Sequence, residues 1–326
     1  MLIARVTARW QSGTLRVALY VIGDSREGEN LLTVVLADSY DELVPELVTR
    51  LSAPRPFASV LDQIATPEWV ITPSLGVRRW LTAQVSTSLG AQSGRTDGIV
   101  ANWQQDFPSR LTQRVLDAHF VAMHGIETDP WALPGLQFVV YDWAVANPGA
   151  RGLELLTDGA GTVVLARCRH MADLFDRYIT WRPAMVLGWL QNKLSTESSD
   201  EELQAELFRA VHAKVGLPCP AERWDETWAA LPSYLDILPA SDRVSIFGLS
   251  SLPGGLRYVE ALENLARHLD VTLYLVRPFT TNLKGLDYDR ERFSTSALQL
   301  WGGSGIALAE MIASTTPVSG RLISQT

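Results

Sequence analysis

Thr72-Pro73-Ser74-Leu75-Gly76 stands where an apolar run gives way to a helical pattern, with Arg78, Arg79 and Trp80 directly behind it. The first turn of a helix carries backbone N–H groups with no intrahelical partner, which suits a docked phosphate. Two arginines and an indole add charge and a flat face for stacking a base. Thr72, Ser74, Gly76, Arg78, Arg79 and Trp80 are therefore candidate contacts for single-stranded nucleic acid. The same residues also describe an ordinary capped helix with solvated arginines and a buried Trp. A Gly-x-Ser-x-Gly nucleophile elbow fails by one position, because Thr72 stands where glycine is required. No acid–His pair follows in a suitable arrangement, so hydrolase chemistry is set aside.

A second set, Asn102, Phe107 and Arg110, follows the next apolar run, GIVAN (98–102), and could line the same groove. Asn can read a base edge, Phe can stack and Arg can hold phosphate. The competing reading anchors Phe107 in the core. GLSSLPGG (248–255) fits an anion nest, but its Pro253 and Gly254 fit a plain strand-to-helix turn better. Cys168 with His170, and His212 with Cys219, do not close a zinc site without a matching second pair. Asp173 and Asp176, at i and i+3 on a charged helix face, read as solvated or Arg-paired. No set of acids has the spacing of a metal-dependent nuclease.

One kind of chemistry is excluded by what is missing. A phosphate-binding loop between a first strand and helix is Gly-rich and ends in Gly-Lys-Ser/Thr. Here that position reads Ala37-Asp38-Ser39-Tyr40-Asp41, with no Gly, no Lys and two carboxylates that repel a triphosphate. None of Lys193, Lys214 and Lys284 follows a Gly or precedes a Ser or Thr. No nucleotide is expected to be hydrolysed at this loop.

These loops need elements to hold them. LLTVVLAD (31–38), EWVIT (68–72) and GIVAN read as strands, each followed by a helix: Ser39–Leu51, Gly76–Leu89 and about Phe107–Val121. Helical periodicity then takes over at 131–146, 162–180, 184–194, 199–214 and 222–235. Alternation returns in RVSIFGL (243–249) and VTLYLV (271–276), with a helix over Pro253–His268 between them. The pattern predicts an α/β domain with a parallel sheet and right-handed crossovers, interrupted by an all-helical insertion, as in superfamily 1 helicases. The expected divisions are a first α/β part at 31–130, the insertion at 131–242, a return at 243–280 and a further segment at 281–326. Residues 1–30 read as a small hairpin around Gln11-Ser12-Gly13 followed by DSREGEN, an N-terminal extension or the product of too early a start codon.

The chain has 326 residues, enough for a sizeable core in about two domains, and 47% of them are hydrophobic. Its formal charge is −8, so the basic field expected of a nucleic-acid binder is absent overall. It is uneven, however: residues 68–115 hold five Arg and three acids, while 199–242 hold nine acids and three bases. Almost all positive charge is on Arg, which suits bidentate contacts to phosphate or carboxylate, though a genome favouring Arg codons explains it equally. Two isolated cysteines point to a reducing compartment, and no apolar run approaches a membrane span. The chain reads as cytoplasmic.

Residues 171–183, MADLFDRYITWRP, read as a helix with Leu174, Phe175, Tyr178 and Ile179 on one stripe and Asp173, Asp176 and Arg177 opposite, ended near Pro183. As a string this resembles a run in the RecC family, the gamma subunits of exodeoxyribonuclease V in RecBCD complexes. VITPSLGVRRWLTAQVSTSLG (70–90) resembles that family through Gly76, Trp80 and Leu81. GIVANWQQDFPSRL (98–111) does so through Asn102, Phe107 and Pro108. The stretch 243–278 is similar through Phe247, Gly248, Leu252, Pro253 and Pro278, and WGGSG (301–305) more weakly, with Ile306-Ala307 where Arg-Asp is expected. The resemblance covers roughly 33–310, in chains that are much longer.

It implies a P-loop-helicase-like domain that has lost its ATP site and kept its DNA-handling shape. The implied role is that of a non-catalytic subunit in double-strand-break repair by homologous recombination, guiding and scanning single-stranded DNA from duplex ends. RecB-like helicase–nuclease and RecD-like helicase partners would use the ATP and magnesium. The family's polar scanning positions are not reproduced, Pro73 and Leu75 being apolar. Two other readings stand beside this one: a free-standing α/β enzyme for a phosphorylated substrate, and a non-DNA scaffold whose acidic helical block binds protein.

Overall fold

The computed structural model describes residues 3–11, 14–22, 32–37, 39–55, 59–89, 100–196, 198–235, 243–250 and 256–276. The chain divides into two compact units, one formed by residues 1–112 with 239–326 and the other by 113–238. In the first, strands β1 (Ile3–Gln11), β2 (Thr14–Ile22) and β3 (Thr33–Ala37) lead into helix α1 (Tyr40–Ser52) and the short α2 (Val60–Ala65). Then come β4 (Glu68–Ile71), α3 (Leu75–Ser88), β5 (Trp103–Asp106) and α4 (Pro108–His124), which crosses the division. After the helical unit the chain returns as β6 (Arg243–Phe247), α11 (Leu256–Ala266) and β7 (Asp270–Val276).

The sheet order is β1-β2-β3-β7-β6-β4-β5. β3, β7, β6, β4 and β5 run parallel, while β1–β2 and β2–β3 are antiparallel. The fold is thus α/β with a five-stranded parallel sheet. β6 is buried along its whole length and β7 along all but its ends, as expected of strands inside a parallel sheet. Val35, Val70, Phe247 and Tyr274 from the strands pack with Leu43, Leu47, Leu81 and Val85 from α1 and α3. Ser39 and Ser74 start these two helices, each hydroxyl accepting the N–H three residues on.

A charged lattice ties the strands that return after the helical unit to the elements that precede it. Arg50, at the end of α1, reaches the Asp270 carboxylate at 2.8 Å and Ser245 Oγ at 3.2 Å. Arg243 donates to the Arg50 and Ala53 carbonyls at 2.9 and 3.3 Å, closing the C-terminus of α1, and pairs with Glu68. Arg243 and Glu68 side chains are 9% and 12% exposed, so this pair is largely cut off from water.

The helical unit continues with α5 (Leu133–Ala146), α6 (Leu165–Trp181), α7 (Pro183–Leu190), α8 (Ser199–Val215), α9 (Trp224–Ala229) and α10 (Leu231–Tyr234). Its core gathers Trp131, Leu136, Val140, Cys168, Phe175, Trp189, Phe208 and Val211. On α6 the buried stripe is Cys168, Met171, Ala172, Phe175 and Ile179, with Leu174 and Tyr178 half-buried beside it. Glu201 folds the 195–196 loop onto α8 by accepting from both backbone N–H groups, both hydroxyls and the Trp189 indole. Those bonds hold its carboxyl far below the usual carboxylate range.

Several expected boundaries move. The third parallel strand is WQQD, not GIVAN: residues 100–102 are loop, and Trp103 pairs with Glu68. Lying at the end of the sheet order, β5 needs no continuous apolar run, so hydrophobicity pointed to the wrong residues. The 222–235 helix is two short ones, with Pro232 in the first turn of α10. The helix expected over 184–194 ends at Leu190, followed by Asn192 in the left-handed region (φ 59°). α2 had no apolar period to announce it. The 251–255 half of GLSSLPGG, Asp38, Ser12-Gly13 and WGGSG lie outside the described residues. Among the described residues no helix is long and apolar enough to cross a membrane, and no group of His, Cys, Asp or Glu could hold a metal.

Candidate nucleic-acid interface

Parallel pairing of β4 with β5 places Ile71 opposite Asp106, so both strands end together and two helices start side by side. Thr72 N–H extends the ladder to the Asp106 carbonyl at 2.9 Å. The Thr72 side chain is fully buried, its hydroxyl without a partner among the described residues. In α3, Ser74 Oγ takes the Val77 N–H and the Ser74 carbonyl takes that of Arg78. The first-turn amides of Leu75 and Gly76 are left with no protein acceptor among the described residues, on an exposed turn. A Cβ on Gly76 would meet only Ser74 Oγ, at 3.7 Å. Nothing in the chain therefore demands glycine there sterically, and its effect is to leave the amides uncovered.

The second helix start is built alike. Asp106 Oδ1 accepts the Phe107 N–H at 2.9 Å, and Pro108 opens α4, where its missing N–H costs nothing. Arg110 stands exposed one residue past Ser109.

The candidate residues separate into two groups. Arg79 and Arg110 are exposed at this edge with Ser74, Leu75 and Gly76. Arg78 instead lies over the Phe107 ring at 4.6 Å, so each half-buried side chain covers the other. Trp80 packs against Tyr40 and Phe247 at centroid distances of 5.9 and 6.3 Å, which makes it a wall of the sheet core. Asn102 is not brought to this edge. Since the strand is 103–106, Asn102 precedes it, at the opposite end of β5 from Phe107. It adopts φ 56°, and its carbonyl receives the Glu68 N–H.

At the first strand–helix connection only two residues separate β3 from α1. The Tyr40 hydroxyl donates to the Gly248 carbonyl at 3.3 Å, and its ring lies against Gly248, whose φ is +74°. A Cβ at Gly248 would sit 2.8 Å from Tyr40 Cε1. A phenol ring thus fills the space beside the turn where the sequence reading sought a phosphate loop.

In the helical unit α6 carries a surface that the sequence reading passed over. Trp181 is 55% exposed, unusually high for so large an apolar ring, and exposed Arg169, Arg177 and Arg182 share the helix or its exit. Arg177 pairs with Asp173 at 2.7 Å. The available signal was that Trp181 falls off the 168–172–175–179 stripe, so helical geometry never required its burial. Residues 113–238 hold 10 basic and 17 acidic residues, against 18 and 19 in the rest of the chain, so these exposed arginines belong to an acidic unit. Acids of α8 and of the turn before α9 are engaged. Glu202 and Glu206 bind Arg151, and Glu222 binds His212 and the Cys219 N–H. Trp228 is buried with Trp224 edge-on to it. Cys219 is also buried, which pushes its thiol up to about 12 and makes it inert at neutral pH.

Residues 32–311 match the family described as RecC, N-terminal domain. The chain belongs to the RecC family. The RecBCD enzyme subunit RecC of Mycobacterium tuberculosis is 31% identical over 255 residues, 74% of this chain and 22% of that protein. Its counterpart from Mycolicibacterium smegmatis is 27% identical over 75% of the chain and 21% of that protein. The Escherichia coli one is 24% identical over 67% of the chain and 19% of that protein. This RecC-family chain therefore spans about a fifth of the length of the curated relatives it matches.

Proposed function

We propose that this chain is a non-catalytic, DNA-handling part of a RecBCD-type helicase–exodeoxyribonuclease, working in the cytoplasm in double-strand-break repair by homologous recombination. Its partners are a RecB-like helicase–nuclease and a RecD-like helicase, which use the ATP and magnesium; this chain holds neither. Its task is to guide single-stranded DNA leaving a duplex end. The observation that carries this reading is the shared edge of β4 and β5, where uncovered amides of Leu75 and Gly76 stand with exposed Arg79 and Arg110. Amides and guanidinium groups hold phosphate without regard to base. The exposed Trp181 with Arg182 offers a stacking face of the kind that single strands use.

Scanning for a regulatory sequence would need base-reading groups beyond this edge. Side chains at this edge that could read a base are otherwise engaged: Ser74 and Asp106 as caps, Gln105 on Thr82 Oγ1. Pro73 and Leu75 offer no hydrogen bond. Coexpression with RecB-like and RecD-like subunits from the same genome tests the assignment on blunt-ended duplex DNA. A stable complex whose ATP-dependent unwinding needs this chain is the expected result. Failure to copurify with either subunit would remove the assignment.

A further inference from the structure

β2 pairs with β3 from Ala18 opposite Thr33 to Leu15 opposite Leu36, and with β1 as an antiparallel hairpin along its whole length, from Thr14 opposite Gln11 to Ile22 opposite Ile3. β3 is thereby an interior strand, with β7 on its other side. The match to the RecC family begins at residue 32, so the hairpin lies outside the matched residues. Without it β3 would be an edge. Thr33–Ala37 reads Thr-Val-Val-Leu-Ala, with no charge, Pro or Gly, which is the composition of an open edge that recruits further strands. β1 is the edge when the hairpin is in place, and its sequence includes Arg5 and Arg9. Charged residues on an edge strand discourage pairing.

We propose that residues 3–22 are an edge guard, a hairpin that holds in cis the side of β3 that a strand from a second copy of this chain would otherwise occupy. This is independent of the DNA assignment. Three measurements test it. In the full chain, amides of 14–22 should exchange with deuterium at least ~10-fold more slowly than in an unfolded peptide. Deletion of residues 1–30 should convert a monomer into dimers or larger species by light scattering, and the synthetic peptide Thr14–Ile22 should return it to monomer-sized complexes. Val17→Pro with Ala18→Pro in the full chain should produce the same self-association, and decides the matter if the deletion fails to fold. Exchange of 14–22 at the unfolded rate would overturn the proposal. So would deletion and proline variants that stay monomeric, or a wild-type dimer that dissociates on deletion.

Discussion

Gly248→Ala is the sharpest perturbation of the sheet unit, because two separate penalties meet at one atom. The backbone there has φ +74°, which costs an L-residue roughly 1–2 kcal/mol. The added methyl would stand 2.8 Å from Tyr40 Cε1, so the ring must move, and overpacking of this kind costs about 1–3 kcal/mol. Their sum is about 2–5 kcal/mol. Tyr40→Ala alone removes a ring that packs on Trp80 and Phe247 but is 36% exposed, so about 2 kcal/mol is expected rather than the ~3–5 kcal/mol of a fully buried aromatic. In the double variant the clash disappears while the left-handed strain stays. The two changes should therefore fall short of additivity by about 1–3 kcal/mol. Because the chain has two units, one global unfolding curve is a poor assay. Native-state hydrogen exchange of β6 and β7 amides in each of the four proteins reads the sheet unit directly. Additivity within about 0.5 kcal/mol would refute the contact on which the arithmetic rests.

Arg243→Ala should destabilise the sheet unit by about 1–3 kcal/mol, because it uncovers the Arg50 and Ala53 carbonyls and leaves Glu68 with only Arg55, at 3.7 Å. Adding Arg55→Met should cost more in the same exchange assay, because Glu68 then loses both guanidinium partners, and no further cost would locate the effect elsewhere. His119 has its pKa held below the ordinary 6.5, chiefly by burial and against the pull of Glu226, so the folded state disfavours its proton. Stability of the helical unit should be full above about pH 6.5 and decline as pH falls through that value toward the lower native pKa. His119→Gln should flatten the pH 5–8 dependence of native-state hydrogen exchange at α8 amides, corrected for intrinsic rates, whereas an unchanged profile would assign it to another group. Trp181→Ala should leave folding intact and weaken single-strand binding by about 1–3 kcal/mol in fluorescence titration. Loss of folding instead would show the ring to be structural.

The parallel strands and long helices were readable because β3 is an apolar run, β6 and β7 alternate, and α6 keeps its buried residues on one stripe. β5 was misplaced for the same reason: periodicity sees burial, and Trp-Gln-Gln-Asp at the end of the sheet is only half-buried. That shift alone removed Asn102 from the site, since moving a strand exchanges the residues at its two ends. Arg78, Phe107 and Trp80 have the right chemistry for DNA, but neighbours distant in sequence occupy them, and no local pattern foretells a contact such as Tyr40 with Gly248, 208 positions apart. Trp181 was legible as an off-stripe aromatic, yet only its exposure distinguishes a binding face from packing.

The proposed path takes single-stranded DNA over the edge formed by β4 and β5. Its most direct test is the salt dependence of binding to a labelled single strand by the assembled complex, with wild-type chain and with Arg79→Ala, Arg110→Ala. Weaker binding is expected on every sequence tried, with a log–log salt slope shallower by about 0.7 for each lost phosphate contact, or about 1.4 for both. An unchanged slope in a folded, assembled double variant would contradict it and place the strand elsewhere on the molecule.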